Sequence, residues 1–413
     1  MTVAQEIINL DLLKSTISEI SVSNNEPDCI LKHRFNMIDL YSKTMLPERV
    51  NHLWKYLDPS LFQINNYTLS ATATEVVLQN ENQNDGVVFC KLKDAFKNES
   101  VKDVIKSKFG FLLKQDITKL SLLNEATWSC GYFLYLSKGV CLDKPLIATL
   151  NTCFHTGQLE SSRVLIVLED GASVNLIDEY QSCAANNLLS NVVVEVFLGK
   201  NSKLNYLNLQ LRGTETIQHF LQRTQVEEGA SFNNLIVALG GNITKADLRV
   251  DLAGELAECY TNGFVLGEGN QIFDHHTVLN HVAPRTKSGL DFRVALKDKS
   301  RSAYTGNLLI NHEAVKCSAY QENRNLLLSP NAKAESIPEL EIFTNDVEKC
   351  SHGVTMGQVD KDQIFYLRSR GLTEKEAERL IIEGFLEPQV AKIPDENLKN
   401  EVWSRVKAKI ANV

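Results

Sequence analysis

Three short segments of the chain repeat at an even interval, and that spacing limits the possible folds more than any other feature. Gly171-Ala172-Ser173-Val174-Asn175 recurs as Gly229-Ala230-Ser231-Phe232-Asn233, and Lys200-Asn201-Ser202 lies midway, so Ser173, Ser202 and Ser231 stand 29 residues apart. Each lies near a short apolar run: Val164 to Leu168, Val192 to Leu198, or Leu235 to Leu239. From about residue 145 to 350 such runs alternate with Gly, Asn, Asp and Ser, with no sustained helical period. A strand–turn unit at a fixed interval predicts a solenoid whose coils stack their apolar faces into one continuous core. A right-handed parallel β-helix fits best, with a β-sandwich of similar hairpins as the alternative. The register becomes irregular after about residue 250.

Both flanks read differently. Ile7, Ile8, Leu10, Leu12, Leu13, Ile17 and Ile20 recur at helical spacing, a second helix is expected from Cys29 to Leu46, and Pro47 is placed to start a third. Residues 60 to 150 are mixed, with strands expected at Asn66 to Leu78 and Gly86 to Phe89 and a helix near Asp94 to Leu120. After Asp360 helical signals return. Gly371 reads as a stop, Thr373 and Glu376 as a capping box, and Leu398, Val402, Trp403, Val406 and Ile410 as the apolar face of a last helix after Pro394. The expected organisation is a mostly helical region over 1–145, a mainly β solenoid over 146–355 and a helical domain over 356–413.

Composition excludes several functions. The net charge of −8 opposes binding to phosphate backbones, so no nucleic-acid partner is expected. No apolar run approaches the roughly 20 residues that span a bilayer, and no membrane partner is expected. The N-terminus lacks the order of a signal or transit peptide, which reads as cytoplasmic. The nine cysteines show no C-x-x-C spacing and are expected to be mostly small buried thiols in a reducing compartment. Phosphate-loop, nucleophile-elbow and zinc-protease motifs are absent. A β-helix enzyme acting on acidic sugars through paired carboxylates remains an alternative on architecture alone.

Three constellations carry candidate chemistry. Cys350 and His352, two apart on a strand, point to one face and could share a soft or borderline metal, with Asp346 and Glu348 as nearby oxygen donors. His275, His276 and His281 cluster, but adjacent histidines on a strand face opposite ways, which favours a structural role. Ala319 to Ser329 supplies amides and an arginine suited to stacked hydrogen bonds inside a solenoid.

The third segment also opens a series of longer matches. Ala319-Tyr320-Gln321-Glu322-Asn323-Arg324-Asn325-Leu326-Leu327-Leu328-Ser329 is followed by Pro338-Glu339-Leu340-Glu341-Ile342-Phe343, Cys350-Ser351-His352-Gly353-Val354-Thr355 and Gln363-Ile364-Phe365-Tyr366-Leu367-Arg368-Ser369-Arg370-Gly371. In order, these resemble the SufB/SufD family of the SUF iron–sulfur cluster assembly system, strongly over about residues 240–390. The short chain and the Gly353 after Cys-Ser-His look like the SufD branch.

The resemblance implies a non-enzymatic scaffold. It implies a SufB-like partner on the last β-helix strands and a SufC-like ATPase on the C-terminal helices; an exposed solenoid edge would also allow a homodimer of the chain alone. It also implies a transient iron–sulfur cluster at the SufB-like junction, with His352 as a shared ligand and Cys350 beside it, and allows a reduced flavin in the complex. No cofactor held tightly by the isolated chain is expected. The stretch Val347-Glu348-Lys349 reads one residue longer than the family spacing, which calls for a bulge or a reversed face before Cys350.

Overall fold

The computed structural model describes residues 10–69, 74–80, 86–115, 117–153, 157–183, 187–393 and 396–411. Ile7, Ile8 and Pro394 of the helical expectations lie outside the described residues. The chain opens with α1 (Leu10–Asn24) and α2 (Asp28–Lys43), which bury Ile17, Ile20, Ile38 and Tyr41. Pro47 starts no helix. The residues after it, Glu48-Arg49-Val50-Asn51, have no apolar period to carry one. The chain instead runs through short 3-10 turns that seat Trp54, Phe62 and Ile64.

The strand expected at Asn66 to Leu78 is two: β1 (Thr68–Leu69) and β2 (Glu75–Gln79), while residues 70–73 lie outside the described residues. After β3 (Val87–Lys91), the expected helix is broken into α3 (Leu92–Ala95), α4 (Lys102–Lys108) and α5 (Lys119–Thr127). Gly110, at a φ of 72°, makes the break after α4, where an L-residue would be strained.

The solenoid then runs without a helix. Its first coils use β4 (Cys130–Leu136), β5 (Leu146–Thr152), β6 (Gln158–Leu168), β7 (Ser173–Ser182), β8 (Leu188–Leu198) and β9 (Lys203–Leu211). The middle coils use β10 (Thr216–Val226), β11 (Ser231–Ala238), β12 (Ile243–Leu252), β13 (Glu258–Gly267), β14 (Ile272–His281) and β15 (Lys287–Leu296). The last coils use β16 (Arg301–Ile310), β17 (Ser318–Leu327), β18 (Lys333–Ile342) and β19 (Lys349–Gln358). Helices α6 (Lys361–Ser369), α7 (Glu374–Val390) and α8 (Glu396–Ala411) follow.

Successive strands alternate between two sheets. One has the order β18-β16-β14-β12-β10-β8-β6-β4-β3, with β1 beside β6, and the other β19-β17-β15-β13-β11-β9-β7-β5-β2. From β4 on, every pairing is parallel and in register, which is a β-solenoid and not a sandwich of hairpins. The repeated serines belong to successive coils of one sheet, although Ser173 and Ser231 align with Lys203 and not with Ser202. The irregularity after residue 250 lies in the turns. Ser231 pairs with Glu258, 27 positions on, and Ser318 with Lys349, 31 positions on, while the ladder itself stays continuous.

The two ends of the solenoid differ. At the first end β2 pairs antiparallel with β5 and β3 antiparallel with β4, closing both sheets with strands that run against the coils. At the other end β18 and β19 are the outermost strands of their sheets. The N-terminal helices and turns cover the outer face of the first sheet, packing on Leu159, Leu189 and Ile243. Helices α7 and α8 cover the outer face of the second, where Ile382, Leu386, Val402 and Val406 meet Leu209, Val237, Phe264 and Leu266. The capping box forms as expected: Thr373 N–H donates to Glu376 Oε2 (2.8 Å) and Glu376 N–H to Thr373 Oγ1 (3.3 Å).

The interior is mainly aliphatic, and among the carboxylates buried within it is Asp178. The hydroxyls of Tyr132, Tyr180 and Tyr206 all donate to Oδ2 of Asp178, at 3.1, 2.7 and 2.6 Å. Burial lifts the Asp178 carboxyl to about 6, outweighing the three phenol donors that pull it down. A carboxyl raised on folding stabilises fully below its unfolded pKa, and that contribution is lost as pH climbs through the folded value. Between pH 4 and 6.5 the wild-type chain should therefore lose roughly 2 kcal/mol more unfolding free energy than Asp178→Asn. Urea titrations across that range check this, and parallel pH profiles for the two proteins would refute it.

Candidate functional site

Cys350 and His352 lie on β19, the last strand of the second sheet. Cys350 pairs with Ala319 and His352 with Gln321, both buried residues of the inner face of β17. In-register parallel strands point paired side chains the same way, so Cys350 and His352 share the interior face. Each ends an inner column that runs the length of the coils. Val174, Leu204, Phe232, Cys259, Ser288 and Ala319 lead to Cys350, and Leu176, Tyr206, Asn234, Thr261, Leu290 and Gln321 lead to His352.

The two side chains differ in setting. Cys350 is half-buried against the main core, and desolvation pushes its thiol up, favouring the protonated form. His352 is exposed. The ladder from Ser318↔Lys349 to Leu327↔Gln358 is unbroken, so β19 has no bulge, and any extra length is taken up in the turn before Lys349. The suggested oxygen donors do not join the pair. Glu348 Oε2 accepts from Ser318 Oγ (3.1 Å), on the outward face, and Asp346 stays exposed in the turn. Among the described residues no group of three or more His, Cys, Asp or Glu is placed to hold a metal ion.

Around this pair the end of the solenoid is apolar and uncovered. Ile342, Phe343, Val354 and Met356 are 42, 50, 39 and 48% exposed. The inner face is finished by amides: Gln321 Nε2 donates to the Glu339 carbonyl of β18 (3.1 Å), and Asn325 Nδ2 to Asn323 Oδ1 (2.7 Å). Of the segment 319–329, Ala319, Gln321, Asn323 and Asn325 are thus buried as structural residues, whereas Arg324 turns outward to Glu322 (2.7 Å) and does not join the interior stack. Pro338, which lacks an N–H, lies in β18, and proline is tolerated on such an edge strand.

The histidine cluster divides between the two faces. His281 is fully buried, with Nδ1 2.7 Å from Thr286 Oγ1 and Nε2 2.8 Å from Ser288 Oγ, so both ring nitrogens are engaged by hydroxyls. His275 lies on the same inner face, whereas His276 turns outward to an edge contact with His52. Burial drives His275 and His281 down to about 4 and His276 to about 3, so all three are neutral at neutral pH and structural.

Sequence reasoning missed the pairing of Cys153 and Cys183. The structure joins these two exposed residues in a disulfide with a Cα–Cα distance of 5.0 Å. This corrects the expectation of mostly buried thiols, as does the exposure of Cys29 and Cys141; Cys259 and Cys317 do follow it. The available signal was the coil period itself, because residues one coil apart at a sheet's end are neighbours.

Residues 152–385, most of the solenoid and the start of the helical tail, match the family described as "SUF system FeS cluster assembly, SufBD core domain". The chain belongs to the SufBD family. An iron–sulfur cluster assembly SufBD family protein of Staphylococcus saprophyticus is 30% identical over 331 residues, covering 78% of this chain and 70% of that protein. SufBD family proteins of Staphylococcus haemolyticus and Staphylococcus aureus are each 26% identical over 427 residues, 93% of this chain and 90% of theirs. SufBD membership makes iron–sulfur cluster assembly the process to which the chain belongs. No described helix is long and apolar enough to cross a membrane.

Proposed function

We propose that this SufBD protein is a SufD-like, non-enzymatic scaffold of the cytoplasm that supplies half of a cluster-assembly site. The observation that carries the reading is the placement of Cys350 and His352 on one interior face of a strand that ends the solenoid. A thiol and an imidazole two residues apart, about 7 Å along the strand, provide two donors for iron or a cluster. The remaining donors would come from a SufB-like subunit that adds its own strands to the free edges of β18 and β19, so that the core continues from one chain into the next. The nascent cluster is cargo of that junction. A chain on its own would use the same edge to pair with a second copy, and a reduced flavin would act on the assembled complex.

The C-terminal helices are the proposed seat of a SufC-like ATPase. Phe365 and Tyr366 of α6 and Leu380 of α7 are 73, 56 and 50% exposed, while the opposite side of α7 is buried on the second sheet. A movement imposed on α6 and α7 is thereby transmitted to the coils that end at β19.

The test is a pull-down of the tagged chain with the SufB-like and SufC-like proteins of its own source. The wild type should recover both. Phe365→Asp combined with Leu380→Asp should lose the ATPase by more than about tenfold while keeping the SufB-like partner, as buried aromatic and aliphatic anchors dominate such contacts. Point variants are preferable to deleting residues 360–413, which would also uncover Leu209, Val237, Phe264 and Leu266. Recovery of neither partner by the wild type would sink the proposal, and a stable cluster on the isolated chain would favour a SufB-like role.

A further inference from the structure

The Cys153–Cys183 pair lies far along the coils from β19 and plays no part in the assembly reading. Thr152 and Ser182 are the last paired residues of β5 and β7, and each cysteine is the next residue out. The parallel register therefore brings the two sulfurs together. Their Cα–Cα distance of 5.0 Å lies within the span that a disulfide needs.

The strand ends beneath are pinned. The buried Arg212 guanidinium donates to the Gln181 carbonyl (2.6 Å) and to Thr152 Oγ1 (3.2 Å), bridging the two strands next to the thiols, and its charge is met by Glu160 (2.8 Å). Ser182 Oγ accepts from Gly213 N–H (2.9 Å) and lies 2.9 Å from Thr216 Oγ1. Opening the disulfide would leave both backbones in place, so the sulfurs of the reduced form stay within reach of each other. Both residues are exposed, so soluble thiols and oxidants reach them. An exposed disulfide held by backbone register has the features of a reversible couple, in contrast to a bridge sealed in a core.

We infer that Cys153 and Cys183 form a redox modification site, a dithiol that closes under peroxide and is reopened by a small or protein dithiol. In the closing direction one thiolate attacks peroxide, giving a sulfenic acid and water. The second thiolate then displaces hydroxide from that sulfur, which leaves as water once protonated, so two thiols and one hydrogen peroxide become one disulfide and two waters. In the opening direction a dithiol reductant gives two electrons and two protons and leaves as its own disulfide. The two states differ by a covalent tie between neighbouring coils.

The experiment uses the full chain, reduced with dithiothreitol and then treated with hydrogen peroxide. Remaining thiols are alkylated and read by peptide mass spectrometry, with the exposed single thiols Cys29 and Cys141 as internal controls. Cys153 and Cys183 should lose alkylation together and appear as one cross-linked peptide pair two hydrogens lighter. A second dithiothreitol treatment of the folded chain should restore both. In Cys153→Ser the cross-link should vanish with the fold unchanged by circular dichroism. Alkylation of Cys153 persisting at the level of Cys29 after peroxide would overturn the inference. So would a bridge that dithiothreitol cannot open without unfolding, or cross-links formed mainly between chains.

Discussion

His352→Ala should abolish cluster build-up on the reconstituted complex while leaving the complex assembled. The side chain is exposed on the final strand, so truncation opens no cavity and removes no core contact. The β18 and β19 edges on which a partner strand would add are main-chain groups and are unchanged by the substitution. What is lost is one donor of the proposed shared site. Since even outer-shell partners of a metal ligand change affinity by about 10–100-fold, loss of a ligand should lower cluster yield by on the order of 100-fold. His352→Cys, which keeps a soft donor, should retain part of the yield, whereas His352→Gln should resemble Ala. Anaerobic reconstitution followed by visible absorption, with gel filtration for assembly, reads both quantities. Wild-type cluster yield in His352→Ala would remove the site from β19.

Arg163→Met should destabilise the chain by about 3–5 kcal/mol, as loss of one partner from a buried ion pair does. Arg163 and Glu195 are both fully buried, on β6 and β8 beneath the N-terminal region, and form an ion pair. Glu195 also accepts the backbone N–H groups of Gly110 (2.8 Å) and Leu112 (2.9 Å), and the Arg163 guanidinium lies 4.8 Å from the centre of the Phe109 ring. The pair is thus the clasp between the segment after α4 and the first sheet. Burial already pushes the Glu195 carboxyl up despite the cation beside it. Without that cation the carboxylate must be protonated or left uncompensated. A compensating Glu195→Leu should recover part of the loss, though not all, because two N–H groups then lack their acceptor. Chemical unfolding of the two variants tests this; a loss below about 1 kcal/mol for Arg163→Met would show the pair to be redundant.

The coil was legible in the sequence because stacking repeats the same strand–turn unit, and Gly-Ala-Ser marks the turn before β7 and again before β11. The later coils were harder to see because the turns absorb insertions while the strands keep register. The strands β2 and β3 were expected in place, but nothing in their five residues each signals that they run antiparallel to the coils. Pro47 misled because a start signal needs an apolar face behind it. At the candidate site the i, i+2 spacing correctly put Cys350 and His352 on one face. Their position at the end of the inner columns, the half-burial of the thiol and the diversion of Glu348 to Ser318 depend on pairing across 30 or so residues, as does the Cys153–Cys183 contact. Arg163, Glu195 and Asp178 read as ordinary polar residues until the coils and helices close over them.

The unlike ends of the solenoid have a consequence in the language of polymer chemistry. A β-coil with two free ends is a bifunctional monomer, and such molecules grow into fibres. Here β2 and β3 finish one end with antiparallel strands, while β18 and β19 finish the other with parallel ones, the end proposed to add a partner's strands. A monofunctional unit can couple once only. If strands add only at the β18 and β19 end, as proposed, edge-to-edge growth would stop at two subunits, and a site divided across that junction would occur once per pair.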